Sequence, residues 1–268
     1  MQQAYDYLAE ANELATILQD KPDRIFAQTT LFKSWTINDV IGHLYMFDVA
    51  ALKSLQSTSE FEIFFSQITE RLNRGMSILE SQYPYLKDLS GRRLFQKWNE
   101  NSDELSAAYA KSDPKKRLRW VGPDMSAKSS ITARQMETWA HGQEVFDTLG
   151  IIRPAHDRIK NICHLGVATF GWSFKNRNIR IPHPAPYVSL ESPSGKIWEW
   201  NDPASPYSVN GYALEFSQVV TQVRNIKDTS LEIRGDVATQ WMEIAQCFAG
   251  KPENPPLKST RFTRQKPI

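Results

Sequence analysis

Thr132-Ala133-Arg134-Gln135-Met136-Glu137-Thr138-Trp139-Ala140-His141-Gly142-Gln143-Glu144-Val145-Phe146-Asp147-Thr148-Leu149-Gly150 decides how this chain is read. The stretch Ser130–Leu149 has helical spacing and no proline, and Gly150 stands where a helix end favours a left-handed residue. Four-residue separation puts Glu137 and His141 on one helix face, one turn apart. A carboxylate and an imidazole so placed can reach one metal ion. Taken alone, Glu-x-x-x-His has a simpler reading, a surface pair worth a few tenths of a kcal/mol.

Upstream, Thr36–Leu55 supplies what the pair lacks. Thr36 reads as an N-cap with Asp39 at the third helical position, in the manner of a capping box. Ile37, Val40, Ile41, Leu44, Phe47 and Ala51 then recur at helical spacing, and His43 points toward that apolar face. Two histidines and a carboxylate from two facing helices make a metal site with open positions. By itself His43 also reads as a satisfied core histidine, and Glu137 as a partner of Arg134 or a cross-helix lysine. A buried charge must be paired, and the joint placement favours the metal.

The rest of the first half is helical. An apolar stripe runs from Ala4 to Leu18 and is closed by Lys21-Pro22-Asp23. A third helix is predicted over Glu60–Ser81 and a fourth over Gly91–Lys111, stopped by Asp113-Pro114. Trp120–Ser126 reads as a turn-rich loop around Gly122-Pro123, with Ser129 or Ser130 capping the helix that follows. Short links between helices predict an antiparallel bundle, in which metal sites are built from inward residues of facing helices.

After Arg153-Pro154 the pattern changes. One helix fits His156–Phe174. Tyr187–Glu191 and Lys196–Trp200 alternate as strands around Pro193-Ser194-Gly195, a hairpin signal. Tyr207–Val209 and Leu231–Arg234 read as short strands, Gly211–Arg224 and Val237–Phe248 as helices. The fold class is therefore α plus α+β: a helical bundle over 1–150, a small α+β domain over 151–250, and a flexible or extended basic tail over 251–268.

Composition narrows the function classes. At 268 residues, 41% apolar and 23% charged, the chain suits a soluble globular protein. Net charge is +2, and the tail carries five basic residues against one acid, so the body is near −2 and no nucleic-acid stripe is implied. Cys163 and Cys247 form no Cys-x-x-Cys pair and read as reduced, buried thiols in a cytoplasmic protein. The start lacks a signal peptide's pattern, and no apolar run approaches the roughly 20 residues of a membrane span. Neither a phosphate-binding glycine loop nor a Gly-x-Ser-x-Gly elbow is present. His156, His164 and His183 have surface or loop roles in this reading.

Several segments resemble a known family. Ser34-Trp35-Thr36-Ile37-Asn38-Asp39-Val40-Ile41-Gly42-His43-Leu44 and the Thr132–Gly150 stretch are similar to the second and the metal-bearing helix of the mycothiol-dependent maleylpyruvate isomerase family, part of the DinB-like metal-binding bundle superfamily. Trp120–Ser126 resembles a poorly characterised metal-binding branch of it. Gly211–Phe216, Arg224 and Leu231–Asp236 are similar to its sterol-carrier-like C-terminal domain. The resemblance implies that His43, Glu137 and His141 bind a divalent ion, usually zinc, with iron(II) or nickel(II) as other candidates. It also implies a low-molecular-weight thiol as cofactor, and that Arg224 reaches toward the active site as a catalytic residue. The family arginine usually follows a glycine; here Val223 precedes Arg224.

Three functional readings stand. The first is a zinc enzyme of thiol-dependent isomerase or S-transferase type, acting on a small electrophilic or carboxylated substrate. In it the metal lowers a thiol pKa, Arg224 holds a carboxylate, and Asp39 orients His43 or caps its helix. The second is a non-haem iron(II) oxygenase-type enzyme with the same trio. The third is a non-catalytic metal or apolar-ligand carrier. The partners expected are a small-molecule substrate and, as a homodimer, a second copy, with no nucleic acid or membrane.

Overall fold

Thr36 starts the helix that carries His43, and it does so as its spacing suggests. Its hydroxyl accepts from the Asp39 amide at 3.1 Å while the Asp39 carboxylate accepts from the Thr36 amide at 2.9 Å, a complete capping box. The computed structural model describes residues 1–264 and divides after Leu149 into two compact units.

In the first unit, α1 (Gln2–Leu18), α2 (Ile37–Gln56), α5 (Gly91–Lys111) and α6 (Ala127–Leu149) form the bundle, with α1 and α2 each packed against both α5 and α6. The stripe at Ala4, Tyr7, Ala11, Leu14 and Leu18 is fully buried, as are Val40, Ile41 and Leu44 of α2. Each leucine, isoleucine or valine among them removed from water contributes about 1.5–3 kcal/mol.

The helix expected over Glu60–Ser81 is two helices, α3 (Thr58–Asn73) and α4 (Ile78–Leu86), both packed on α2. Gly75 breaks it with φ +86°, and a second capping box, Ser77 with Glu80, starts the chain again. The loop before α6 contains a short antiparallel pair, β1 (Arg117–Leu118) with β2 (Met125–Ser126). In consequence α6 begins at Ala127, earlier than Ser129 or Ser130 would allow as caps. Ser126 fills the capping role instead, its hydroxyl accepting from the Ser129 amide at 3.1 Å. Gly150 has φ +65° just past the last turn.

The second unit is α+β. A four-stranded sheet has the order β4-β3-β5-β6, where β3 is Tyr187–Glu191, β4 Ile197–Trp200, β5 Ser208–Tyr212 and β6 Glu232–Arg234. β3 and β4 form the expected hairpin, β5 runs parallel to β3, and β6 antiparallel to β5. Val188, Leu190, Trp198 and Val209 face inward. The helix expected over His156–Phe174 is a 3-10 turn followed by α7 (Lys160–Ala168) and α8 (Phe170–Lys175). α9 is Ala213–Val220, because Gly211 and Tyr212 complete β5 and Gln222 turns left-handed at φ +59°. α10, Asp236–Ile244, closes the unit.

Residues 251–264 contain neither helix nor strand, and side chains of the second unit fasten them. Gln222 Nε2 donates to Glu253 O at 2.9 Å, Asn225 Nδ2 to Pro256 O at 2.7 Å, and Arg261 Nη1 to Gln222 O at 2.8 Å. The remainder of the tail, 265–268, lies outside the described residues. No helix among the described residues is long and apolar enough to cross a membrane.

Candidate metal centre

His43 sits two turns into α2, and Glu137 and His141 lie in the middle of α6. Packing α2 against α6 brings the three side chains together. His43 Nε2 is 3.7 Å from Glu137 Oε2, and His141 Nε2 is 3.4 Å from the same oxygen. All three donor atoms lie within 4.8 Å of one another, and among the described residues this is the one such group. Ligands bound to zinc at 2.0–2.1 Å in a tetrahedron are about 3.4 Å apart, so the spacing suits a common ion. The donor set, two imidazole nitrogens and one carboxylate oxygen, suits it too, and leaves a position open.

The local electrostatics favour the donor forms of His43 and Glu137. Burial, with the charges of His141 and Arg134 in support and Glu137 opposed, lowers the His43 pKa to about 4, so its imidazole is neutral at pH 7. Burial would raise the Glu137 pKa. The hydrogen bonds and charges of His141 and His43 outweigh that and hold the carboxyl below the usual range. The His43 and His141 side chains are 10% and 12% exposed and Glu137 24%, so the site opens to solvent on the Glu137 side.

Other candidates fall elsewhere. Arg134 is not the partner of Glu137; its Nε donates to Asp48 at 2.8 Å in the bundle interior. Asp39 does not orient His43. Its carboxylate serves Thr36 and accepts from the Tyr83 hydroxyl at 3.1 Å. His43 Nδ1 is buried and has no hydrogen-bond partner. Arg224 belongs to the second unit, where its Nη1 donates to Val223 O at 2.8 Å and it shares a shallow cleft with Asp228, Ser259, Arg261 and Phe262. His156, His164 and His183 are exposed, and His164 Nδ1 accepts from Trp200 Nε1 at 3.3 Å. Both cysteines are free and buried.

Sequence reasoning passed over the rings around the trio. Phe47 lies 4.7 Å from the His43 ring, Phe32 5.1 Å from that of His141, and Trp35 within 6 Å of both. Phe47 was visible as the residue one turn after His43; Phe32 and Trp35 come from a turn whose shape no periodicity reveals.

Comparison with known proteins agrees with this architecture. The family model for the mycothiol maleylpyruvate isomerase N-terminal domain matches residues 7–146. Two proteins of Mycobacterium tuberculosis strains, Uncharacterized protein MT0041 and Uncharacterized protein Rv0036c, are each 34% identical over 247 residues, covering 92% of this chain and 95% of theirs. Among solved structures, the crystal structure of the mycothiol-dependent maleylpyruvate isomerase is similar with a TM-score of 0.51 at 14% identity, over 81% of this chain and 87% of that one. A histidine-to-alanine mutant of that isomerase is similar to the same TM-score at 12% identity. At such identity the likeness is one of fold.

Proposed function

The chain belongs to the mycothiol maleylpyruvate isomerase family, and on that premise we propose that it is a zinc-dependent enzyme that uses a low-molecular-weight thiol to isomerise, or transfer a group to or from, a small electrophilic carboxylate. One observation supports this above others: three donor atoms of a metal-binding set converge from α2 and α6 at 3.4 and 3.7 Å spacing. Bound there, zinc would supply a Lewis acid that lowers the pKa of a thiol or water.

The chain's own residues do the rest in this reading. His43 and His141 present Nε2 to the ion. Glu137 contributes the single negative charge and marks the open side, where thiol and substrate enter. Arg224 holds a substrate carboxylate through its planar fork. The second unit is sterol-carrier-like in this reading, and the protein works in the cytoplasm.

The test is metal content on the purified full-length protein beside Glu137→Gln, followed by thiol-dependent cis–trans isomerisation of a conjugated cis-dicarboxylate with several thiols. About one zinc per chain is expected, lost in Glu137→Gln while the helix content stays, since glutamine keeps helix propensity. No zinc after reconstitution, or zinc binding with no thiol-dependent turnover of any activated electrophile, would overturn the reading.

A further inference from the structure

Metal-binding histidines usually donate their second ring N–H to a carboxylate or a carbonyl, which fixes the ring and makes it a better donor. His43 does not: its Nδ1 is buried among groups that offer it no hydrogen bond. Apart from Glu137, the neighbours that pack on the ring are aromatic. Phe47 lies 4.7 Å away at 50°, and Trp35 5.4 Å away at 61°. Trp35 also lies parallel to the His141 ring, 3° between planes at 5.8 Å, and Phe32 meets His141 edge-on at 5.1 Å.

Both added rings come from one tight turn, Phe32-Lys33-Ser34-Trp35. The Trp35 amide closes it by donating to Phe32 O at 2.8 Å. Its central residues, Lys33 and Ser34, have φ of +48° and +60°, the left-handed pair that a type I′ turn needs and that asparagine and glycine normally supply. Two adjacent side-chain-bearing residues in that region persist only where the surroundings over-determine them. Here they do. The Thr30 amide and hydroxyl donate to Trp35 O at 2.7 and 2.8 Å, and the Ile37 amide donates to Gln28 O at 2.9 Å. The turn runs straight into Thr36, the cap of the helix bearing His43, while its rings reach His141 on α6.

We propose that the Phe32–Trp35 turn is a positioning element of the metal centre, and that Trp35 sets the orientation of both imidazoles by ring packing in place of a hydrogen-bonded carboxylate. This rests on the reading of His43, Glu137 and His141 as metal ligands. In this role Trp35 acts through the two histidines it packs on.

The test uses the full chain with Zn²⁺ and Co²⁺ alone as probes. Affinity is measured by competition with a chromophoric chelator, coordination by the visible spectrum of the Co²⁺ form, and folding by urea titration of the metal-free protein. Trp35→Leu is expected to weaken binding of both ions about 10–100-fold, the range for loss of a group that orients a ligand, and to change the Co²⁺ spectrum. Trp35→Phe should restore both. Phe32→Leu, at the partly buried end of the turn, should weaken binding in the same direction, and it decides the matter should Trp35→Leu fail to fold. A Trp35→Leu protein that shifts only the urea midpoint, with wild-type affinity and spectrum, would overturn the inference and leave the metal site standing. A wild-type protein that binds neither ion would overturn the metal reading itself, and this inference with it.

Discussion

Asp48 joins the four helices of the bundle from within. It is fully buried and accepts three hydrogen bonds: from Tyr7 Oη at 2.7 Å, Arg134 Nε at 2.8 Å and Trp98 Nε1 at 3.2 Å. Those donors come from α1, α6 and α5, and Asp48 itself from α2, so one carboxylate ties all four bundle helices. Asp48→Ala leaves Arg134, whose side chain is 3% exposed, as a buried charge without its carboxylate. Breaking a buried pair from one side costs about 3–5 kcal/mol. Trp98 loses its acceptor at a further cost of about 1–3 kcal/mol, whereas Tyr7 keeps Ser102 Oγ at 3.1 Å and adds little. Because such terms overlap, the expected loss is about 5 kcal/mol, comparable to the whole stability of a marginal domain. Burial pushes the Asp48 carboxyl pKa up, against Arg134, Tyr7 and Trp98, so the ionised pair is itself costly to hold. Replacing both partners, Asp48→Leu with Arg134→Leu, should therefore cost less than Asp48→Ala alone. Urea unfolding of the full chain, followed by tryptophan fluorescence and circular dichroism, reads both. A loss under about 1 kcal/mol for Asp48→Ala, or a double variant less stable than the single, would refute the reasoning.

Two further outcomes follow from packing and burial. A Cβ on Gly166 would lie 2.8 and 2.9 Å from the two methyls of Val220 and 3.0 Å from Phe216 Cε1, and a β-branched neighbour cannot swing away. Gly166→Ala should thus lose about 1–2 kcal/mol in urea unfolding, overpacking outweighing the gain in helix propensity. Gly42→Ala should lose less, because its closest neighbour, at 2.6 Å, is the tip of Leu86. Stability of Gly166→Ala at or above wild type would contradict this account. Burial pushes the Cys163 thiol up from 9.0 to about 12, which leaves about a thousandfold less thiolate at a given pH. Ellman's reagent should find Cys163 silent in the native protein and reactive in urea; rapid native labelling at Cys163 would show that the α7–α9 interface opens freely.

The split between what was legible and what was not follows the range of each interaction. Helix α5 could be bounded from the sequence at Gly91 and Lys111 because its apolar stripe and the Asp113-Pro114 stop just beyond it are both local signals. The convergence of His43, Glu137 and His141 was legible for a related reason. Glu137 and His141 are fixed by helical period alone, and His43 by the apolar face it shares with Val40 and Phe47; only the pairing of α2 with α6 had to be supplied, and an antiparallel bundle supplies it. Arg134 shows the opposite case. Three residues before Glu137 and on the same helix, it looked like a local partner, yet its charge is taken by Asp48, 86 positions away. Helical period states which residues share a face, but a long side chain chooses its acceptor by burial, and the fully buried carboxylate wins over one that is 24% exposed. The division of Glu60–Ser81 was announced by Gly75 and passed over, whereas the turn at Lys33-Ser34 was hidden for another reason. Left-handed backbone is announced in sequence by asparagine or glycine, and at Lys33 and Ser34 neither is present. A turn built from residues that resist its conformation is held by its surroundings, and here those surroundings include the rings that pack on the two histidines.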